Sequence, residues 1–169
     1  EIGGETIDVT FVDTAGLRQK RKADTPVEFF SIDRTEKAIK ASDVLILVLE
    51  GFIDGASAQD RKIANLARES GRGVIIAVNK WDLCKGISKD ECTMRIRATL
   101  PFLNYAPIVM TSSKNGDGIN SLFSALLELR STLAFKPPTP IVNRVLEEAF
   151  NVCPPPFSGR SSFKVYYAT

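Results

Sequence analysis

Histidine is absent from the 169 residues, which removes the commonest general acid–base side chain and the commonest metal ligand together. Cysteine is scarce. Cys84, Cys92 and Cys153 are odd in number and have no metal-ligand spacing, so neither a Zn site nor a disulfide framework is expected, and a reducing compartment is. The three read as buried or incidental thiols. No apolar run approaches the roughly 20 residues that a membrane span needs, and no signal peptide opens the chain. A cytoplasmic protein with no membrane span is the expectation. Charge of one sign is lacking as well: 22 Lys and Arg against 20 Asp and Glu leave a net +2, so any nucleic-acid contact must be argued from local charge.

What is present belongs to a globular protein. Hydrophobic residues make up 44% of the chain and charged residues 25%, and the length suits one complete domain plus a fragment of another. Gly3-Gly4 reads as a hairpin turn entering an alternating strand over Thr6 to Val12. Three apolar runs follow, Val44 to Leu49, Val74 to Val78 and Pro107 to Met110, each a candidate parallel strand. Between and after them lie segments of helical period: Phe29 to Ala41, Ala58 to Glu69, Lys89 to Leu100, and Ile119 to Phe135. Strands alternating with helices imply βαβ units, hence an α/β fold with a doubly wound, mostly parallel sheet.

Lys136-Pro137-Pro138-Thr139-Pro140 has the composition of a stiff linker, since proline fixes φ and cannot continue the preceding helix. It divides the chain into a first domain over residues 1–135 and a second segment over 141–169. In that segment Ile141 to Val152 has helical spacing, Pro154-Pro155-Pro156 stops it, and Ser161 to Ala168 alternates as a strand. One helix and one strand cannot bury a core, so the second domain is expected to be incomplete here.

Three strand ends carry chemistry. Asn79-Lys80-Trp81-Asp82 follows a run buried on both faces, and open α/β sheets bind ligands at the carboxyl edges of their strands. A carboxylate at Asp82 accepts two hydrogen bonds, matching the paired N–H donors of guanine and opposing the acceptor that adenine shows there. Asn79 can donate to a ring acceptor and tie neighbouring loops, and the Lys80 stem can lie along the purine face with its ammonium in water. Asp13-Thr14-Ala15-Gly16 ends the first strand: Asp13 can hold Mg²⁺ through water, and Gly16 lets its backbone N–H approach a terminal phosphate. Thr111-Ser112-Ser113-Lys114 follows the last strand, where a backbone N–H can meet the guanine oxygen. Taken singly, each also fits a polar turn. Together, in this order, they point to one guanine nucleotide.

These residues resemble the third, fourth and fifth signature motifs of GTP-binding proteins of the translation-factor class. Asp13 to Arg18, Phe30 to Thr35 followed by Lys37-Ala38-Ile39, and Phe102 to Ile108 look more specifically like the second GTP-binding domain of the Der (EngA) family, bacterial proteins with two such domains in tandem followed by a KH-like domain. Tyr166-Tyr167-Ala168-Thr169 resembles a segment of that KH-like domain. The resemblance implies a P-loop NTPase-type fold followed by a partial KH-like α+β domain. It implies GTP and GDP as ligands across Asp13, Thr14, Ala15, Gly16, Leu17, Asn79, Lys80, Asp82, Ser112, Ser113 and Lys114. It also implies Mg²⁺ as cofactor, and as partners the large ribosomal subunit, its RNA, and a preceding GTP-binding domain of the same protein.

Two departures shape the expectation. G-x-x-x-x-G-K-[ST] and the threonine-bearing first switch are not in these residues, so the phosphate cradle and its strand are expected upstream of Glu1, and the fragment by itself is expected to be inactive. Leu17 stands where many GTPases place a Gln that orients the attacking water, so intrinsic hydrolysis should be slow and help should come from a partner, the ribosome or a monovalent cation such as K⁺. Arg18-Gln19-Lys20-Arg21-Lys22 puts four cations in five residues, either a solvated loop or a second switch whose Arg18, Lys20, Arg21 and Lys22 contact RNA phosphates. Two functions follow: a GTP-hydrolysing switch in large-subunit assembly, or an RNA-interaction module that nucleotide merely regulates.

Overall fold

Gly73 to Val78 are buried without interruption and form the middle strand of a parallel sheet. The computed structural model describes residues 8–12, 37–51 and 55–154. Among these the sheet has three strands, β1 (Val44–Glu50), β2 (Gly73–Asn79) and β3 (Ile108–Met110), in the order β1-β2-β3. The helices are α1 (Ala58–Glu69), α2 (Lys89–Thr99), α3 (Ile119–Ala134) and α4 (Thr139–Val152), and residues 37–41 are also helical. The chain divides into two compact units, Glu1–Ser131 and Thr132–Thr169, and the sheet lies in the first.

The register explains the core. Leu47 pairs with Ile76 and Leu49 with Val78, while Ile76 and Val78 pair in turn with Ile108 and Met110. These side chains share one face, because successive residues of a strand alternate between faces. They pack with Ala64 and Ala67 of α1 and with Cys92 and Ile96 of α2. Ile75 and Ala77 point to the opposite face and are buried too, so β2 is covered on both sides, as its unbroken apolar run requires.

Helix starts follow the sequence closely. Ser57 caps α1 with a reciprocal pair: its hydroxyl accepts from Asp60 N–H at 3.1 Å and its own N–H donates to Asp60 Oδ2 at 2.9 Å. Ser88 caps α2 with its hydroxyl, which accepts from Glu91 N–H at 3.1 Å. Each such cap contributes about 1 kcal/mol. Arg97 closes the segment after α2 by donating to the carbonyls of Leu103 and Ala106, both at 2.7 Å, which fixes where β3 begins.

Two elements differ from the sequence reading. The strand expected over Thr6 to Val12 does not form in residues 8–12, where Val9, Phe11 and Val12 are exposed. Alternation supplies a strand with a face, but a ladder needs a partner, and β1 pairs with β2. Phe11 instead meets the Phe123 ring of α3 edge-on, with centroids 6.3 Å apart. In the second unit, α4 starts at Thr139 rather than Ile141, with Pro140 inside its first turn. Proline is tolerated there because the N–H it lacks would have no helical acceptor. The expected strand over Ser161 to Ala168 and the turn at Gly3-Gly4 lie outside the described residues, as does the predicted helix before residue 37.

Candidate functional site

Because β2 and β3 are parallel neighbours, their carboxyl ends emerge side by side, and the ladder continues past both. Thr111 N–H donates to the Val78 carbonyl at 2.8 Å, and Trp81 N–H donates to the Thr111 carbonyl at 3.0 Å. After β2 the backbone reverses at Lys80, whose φ of 61° and ψ of 32° are left-handed, and then enters a 3₁₀ turn over Trp81–Leu83. Left-handed lysine is unfavourable by about 1–2 kcal/mol, so the surrounding contacts must hold it there. Such conformations cluster at ligand sites.

Those contacts join the two loops predicted to read the base. Ser112, only 1% exposed, donates its hydroxyl to Asp82 Oδ1 at 2.7 Å. Asn79 Oδ1 accepts from Ser113 twice, from the backbone N–H and from the hydroxyl, each at 3.0 Å. The Asn79 amide oxygen is thereby committed to the second loop, and the NH₂ is the half suited to donate to a ring nitrogen. One Asp82 oxygen is likewise steered by Ser112, which orients the carboxylate as a unit.

The second loop is built tightly. Ser112 N–H donates to the Asp117 carbonyl at 3.0 Å, and the Ser112 carbonyl accepts from Gly116 N–H at 2.8 Å. Ser113 to Gly116 thus close a turn that carries Lys114 on its exposed side. Gly118 has a φ of +75°, and a Cβ there would collide with the Met110 carbonyl. The residue must be glycine for the turn to return against β3.

On the other side of β2, the exit of β1 approaches the same turn. Gly51 N–H donates to the Asn79 carbonyl at 2.9 Å, and Lys80 Nζ meets Glu50 Oε1 at 2.7 Å. The Cys84 thiol donates to the Gly51 carbonyl and lies 3.6 Å from the Lys80 carbonyl oxygen. Burial, with the Asp82 carboxylate second, raises the Cys84 thiol above its ordinary pKa, which keeps it a donor at neutral pH.

Of the predicted site residues, Asn79, Lys80, Asp82, Ser112 and Ser113 are brought together by these bonds, and Lys114 sits beside them in the turn. Asp13, Thr14, Ala15, Gly16, Leu17, Arg18, Lys20, Arg21 and Lys22 lie outside the described residues. Among the described residues no group of three or more His, Cys, Asp or Glu side chains is placed to hold a metal. No helix among them is long and apolar enough to cross a membrane. Sequence reasoning missed Glu50, Gly51 and Cys84. Gly51 at a strand end was the available signal, whereas Cys84 carried none beyond its proximity to Asp82.

The family model described as "Elongation factor Tu GTP binding domain" matches residues 1–132. Among relatives, the chain is 37% identical over 164 residues to GTPase Der of Desulforudis audaxviator, covering 96% of this chain and 37% of that protein. It is 39% identical over 164 residues to GTPase Der of Lachnospira eligens, with coverage of 96% and 37%. The chain therefore spans little more than a third of the length of these relatives. Translation elongation factor SelB of Methanococcus maripaludis, solved with the GTP analogue GppNHp, superposes on 69% of this chain and 26% of its own, with a TM-score of 0.51 at 16% identity. That likeness concerns the fold.

Proposed function

The chain belongs to the family of the elongation factor Tu GTP binding domain, with the α/β fold of P-loop NTPases, and on that premise we propose that it supplies the base-reading part of a GTP-hydrolysing switch. The observation that carries this reading is the cross-linking of two strand-end loops, Asp82 to Ser112 and Asn79 to Ser113, which presents an oriented carboxylate and an amide donor at one sheet edge. Hydrogen bonds to a charged acceptor contribute about 1.5–3 kcal/mol each, and a site built for guanine's two donors disfavours adenine strongly. Titration of the intact protein with GDP, GTP and ATP tests it. Equal binding of ATP would end the guanine reading.

In this reading Asn79, Lys80 and Asp82 bind the base, Ser112, Ser113 and Lys114 support it, and Thr14, Ala15, Gly16 and Leu17 lie near the terminal phosphate. Asp13 has the hard oxygen donor that suits Mg²⁺, which when bound neutralises phosphate charge. Leu17 cannot hold a water in line, so turnover depends on an outside group, K⁺ or a partner among them. Residues 136–138 link this domain to a KH-like segment that opens with α4 at Thr139, and another GTP-binding domain precedes it in the same protein.

The setting we propose is assembly of the large ribosomal subunit in the cytoplasm, in line with the Der likeness. Arg18, Lys20, Arg21 and Lys22 then meet ribosomal RNA phosphates when nucleotide orders the second switch. Neutralising Lys20, Arg21 and Lys22 should weaken RNA binding and flatten its salt dependence by roughly one unit of log–log slope for each phosphate that is no longer neutralised. An unchanged salt slope in a filter-binding series would remove the basic switch from the mechanism.

A further inference from the structure

The exit of β1 touches the base-reading turn at three points beyond the bonds that join Asn79 and Asp82 to the second loop. Gly51 N–H holds the Asn79 carbonyl at 2.9 Å, the Cys84 thiol holds the Gly51 carbonyl, and Glu50 Oε1 holds the Lys80 ammonium at 2.7 Å. The register sets Glu50 against Asn79, so its carboxylate reaches the residue that follows. A Cβ on Gly51 would come within 2.5 Å of Cys84 Sγ and 3.2 Å of the Asn79 carbonyl oxygen, so a side chain there would displace the thiol.

We infer that Glu50 and Cys84 are positioning residues for base recognition, Glu50 by fixing Lys80 along the purine face and Cys84 by fixing the turn that carries Asp82. The inference rests on the guanine reading and deepens it. A lysine stem has four rotatable bonds, and ordering them over a ring costs conformational entropy. A carboxylate that holds the far end of the stem removes part of that cost before the ligand arrives. Cys84 acts on backbone instead. Its thiol ties the Gly51 carbonyl to the segment running from Lys80 to Cys84, so the height of Asp82 above the sheet edge is set from β1 as well as from Ser112.

The two residues act on different parts of the base, which separates them experimentally. Guanine and hypoxanthine present a similar ring face, but hypoxanthine lacks the 2-amino donor that a carboxylate reads. The dissociation constants of the intact protein for GDP and inosine diphosphate are the measurement. Glu50→Gln should weaken both by the same factor, about two- to fivefold for a partly exposed ion pair, and should add nothing in a Lys80→Met background. Cys84→Ala should narrow the preference for GDP by about two- to fivefold, and Cys84→Ser, which keeps a donor, should restore it. A wild-type constant for Glu50→Gln, or an equal loss with and without Lys80, overturns the role of Glu50. An unchanged preference in Cys84→Ala overturns that of Cys84. Wild-type protein that binds ATP as well as GDP overturns the guanine reading and this inference with it, whereas guanine-selective wild type with inert variants overturns this inference alone.

Discussion

Ser112 and Ser113 are adjacent serines that both bond to the other loop, yet removing their hydroxyls should have unequal effects. Ser112 is buried, and its hydroxyl donates to a charged acceptor, Asp82 Oδ1, at 2.7 Å while accepting from Asn115 N–H at 3.3 Å. A hydrogen bond to a charged group contributes about 1.5–3 kcal/mol, and because Asp82 is itself partly exposed, water recovers some of that. Ser112→Ala should therefore destabilise the domain by about 1.5–2 kcal/mol and weaken GDP by about tenfold, since a carboxylate released on one side no longer presents both oxygens in fixed directions. Ser113→Ala keeps the backbone N–H bond to Asn79 at 3.0 Å and loses a neutral, exposed hydroxyl bond of the same length. Its expected cost is about 0.5 kcal/mol. Urea unfolding and calorimetric GDP titration of the two variants give the comparison. If Ser113→Ala proves as costly as Ser112→Ala in either measurement, the assignment of Ser112 as the group that orients Asp82 is wrong.

Asp82→Asn replaces two acceptors by one acceptor and one donor, which matches the 2-oxo edge of xanthine; GDP binding should fall by roughly a hundredfold while xanthosine diphosphate binding rises, as read by competition. Gly118→Ala adds a Cβ against the Met110 carbonyl at a φ of +75°, and should cost roughly 3 kcal/mol or more, visible as a lower thermal midpoint or insoluble protein. Burial raises the thiols of both Cys84 and Cys92, with Asp82 adding to the first, and Cys84 adding to the second while Arg95 opposes. A folded-state pKa above the unfolded one favours the protonated form in the native protein, so the stability these thiols support is intact at neutral pH and declines as pH rises above the ordinary value of 9.0. Unfolding curves from about pH 7 to about pH 10.5 should show that decline, and a Cys84→Ser, Cys92→Ser protein should show less of it.

Where a strand is buried on both faces or a helix carries its own cap, the sequence was readable almost to the residue. Val74 to Val78 lies within β2, and α1 has the expected bounds of Ala58 and Glu69 because Ser57 and Asp60 announce its start. Thr6 to Val12 failed at residues 8–12 because alternation reports a face and says nothing about who pairs along the edge. The residues proposed for the base site stand out by type, since carboxylate, amide and small hydroxyl groups at strand ends carry their chemistry openly. That Asn79 ties neighbouring loops was legible, but the identity of its partner and of Asp82's was not: Ser112 to Asp82 spans 30 positions and Ser113 to Asn79 spans 34, and such contacts depend on which strands become neighbours. Glu50 and Cys84 were invisible for the same reason. Each matters through the loop of an adjacent strand rather than through any pattern around itself.

The unbroken burial of Gly73 to Val78 has a consequence for how the proposed base site responds to thermal fluctuation. Amides in a strand paired on both sides and covered on both faces open to solvent exchange only in large-scale unfolding, whereas edge strands and exposed helices open in smaller excursions. Asn79 is the last residue of that strand, and its carbonyl is still bonded to Gly51. Asn79, proposed to meet the base, is thus anchored to the part of the domain expected to open last, whereas Asp82 is held from Ser112 after β3 and, through Cys84, from Gly51 after β1. Fraying that reaches the exit of β1 or β3 should therefore release Asp82, and with it the preference for guanine, before Asn79 leaves the sheet.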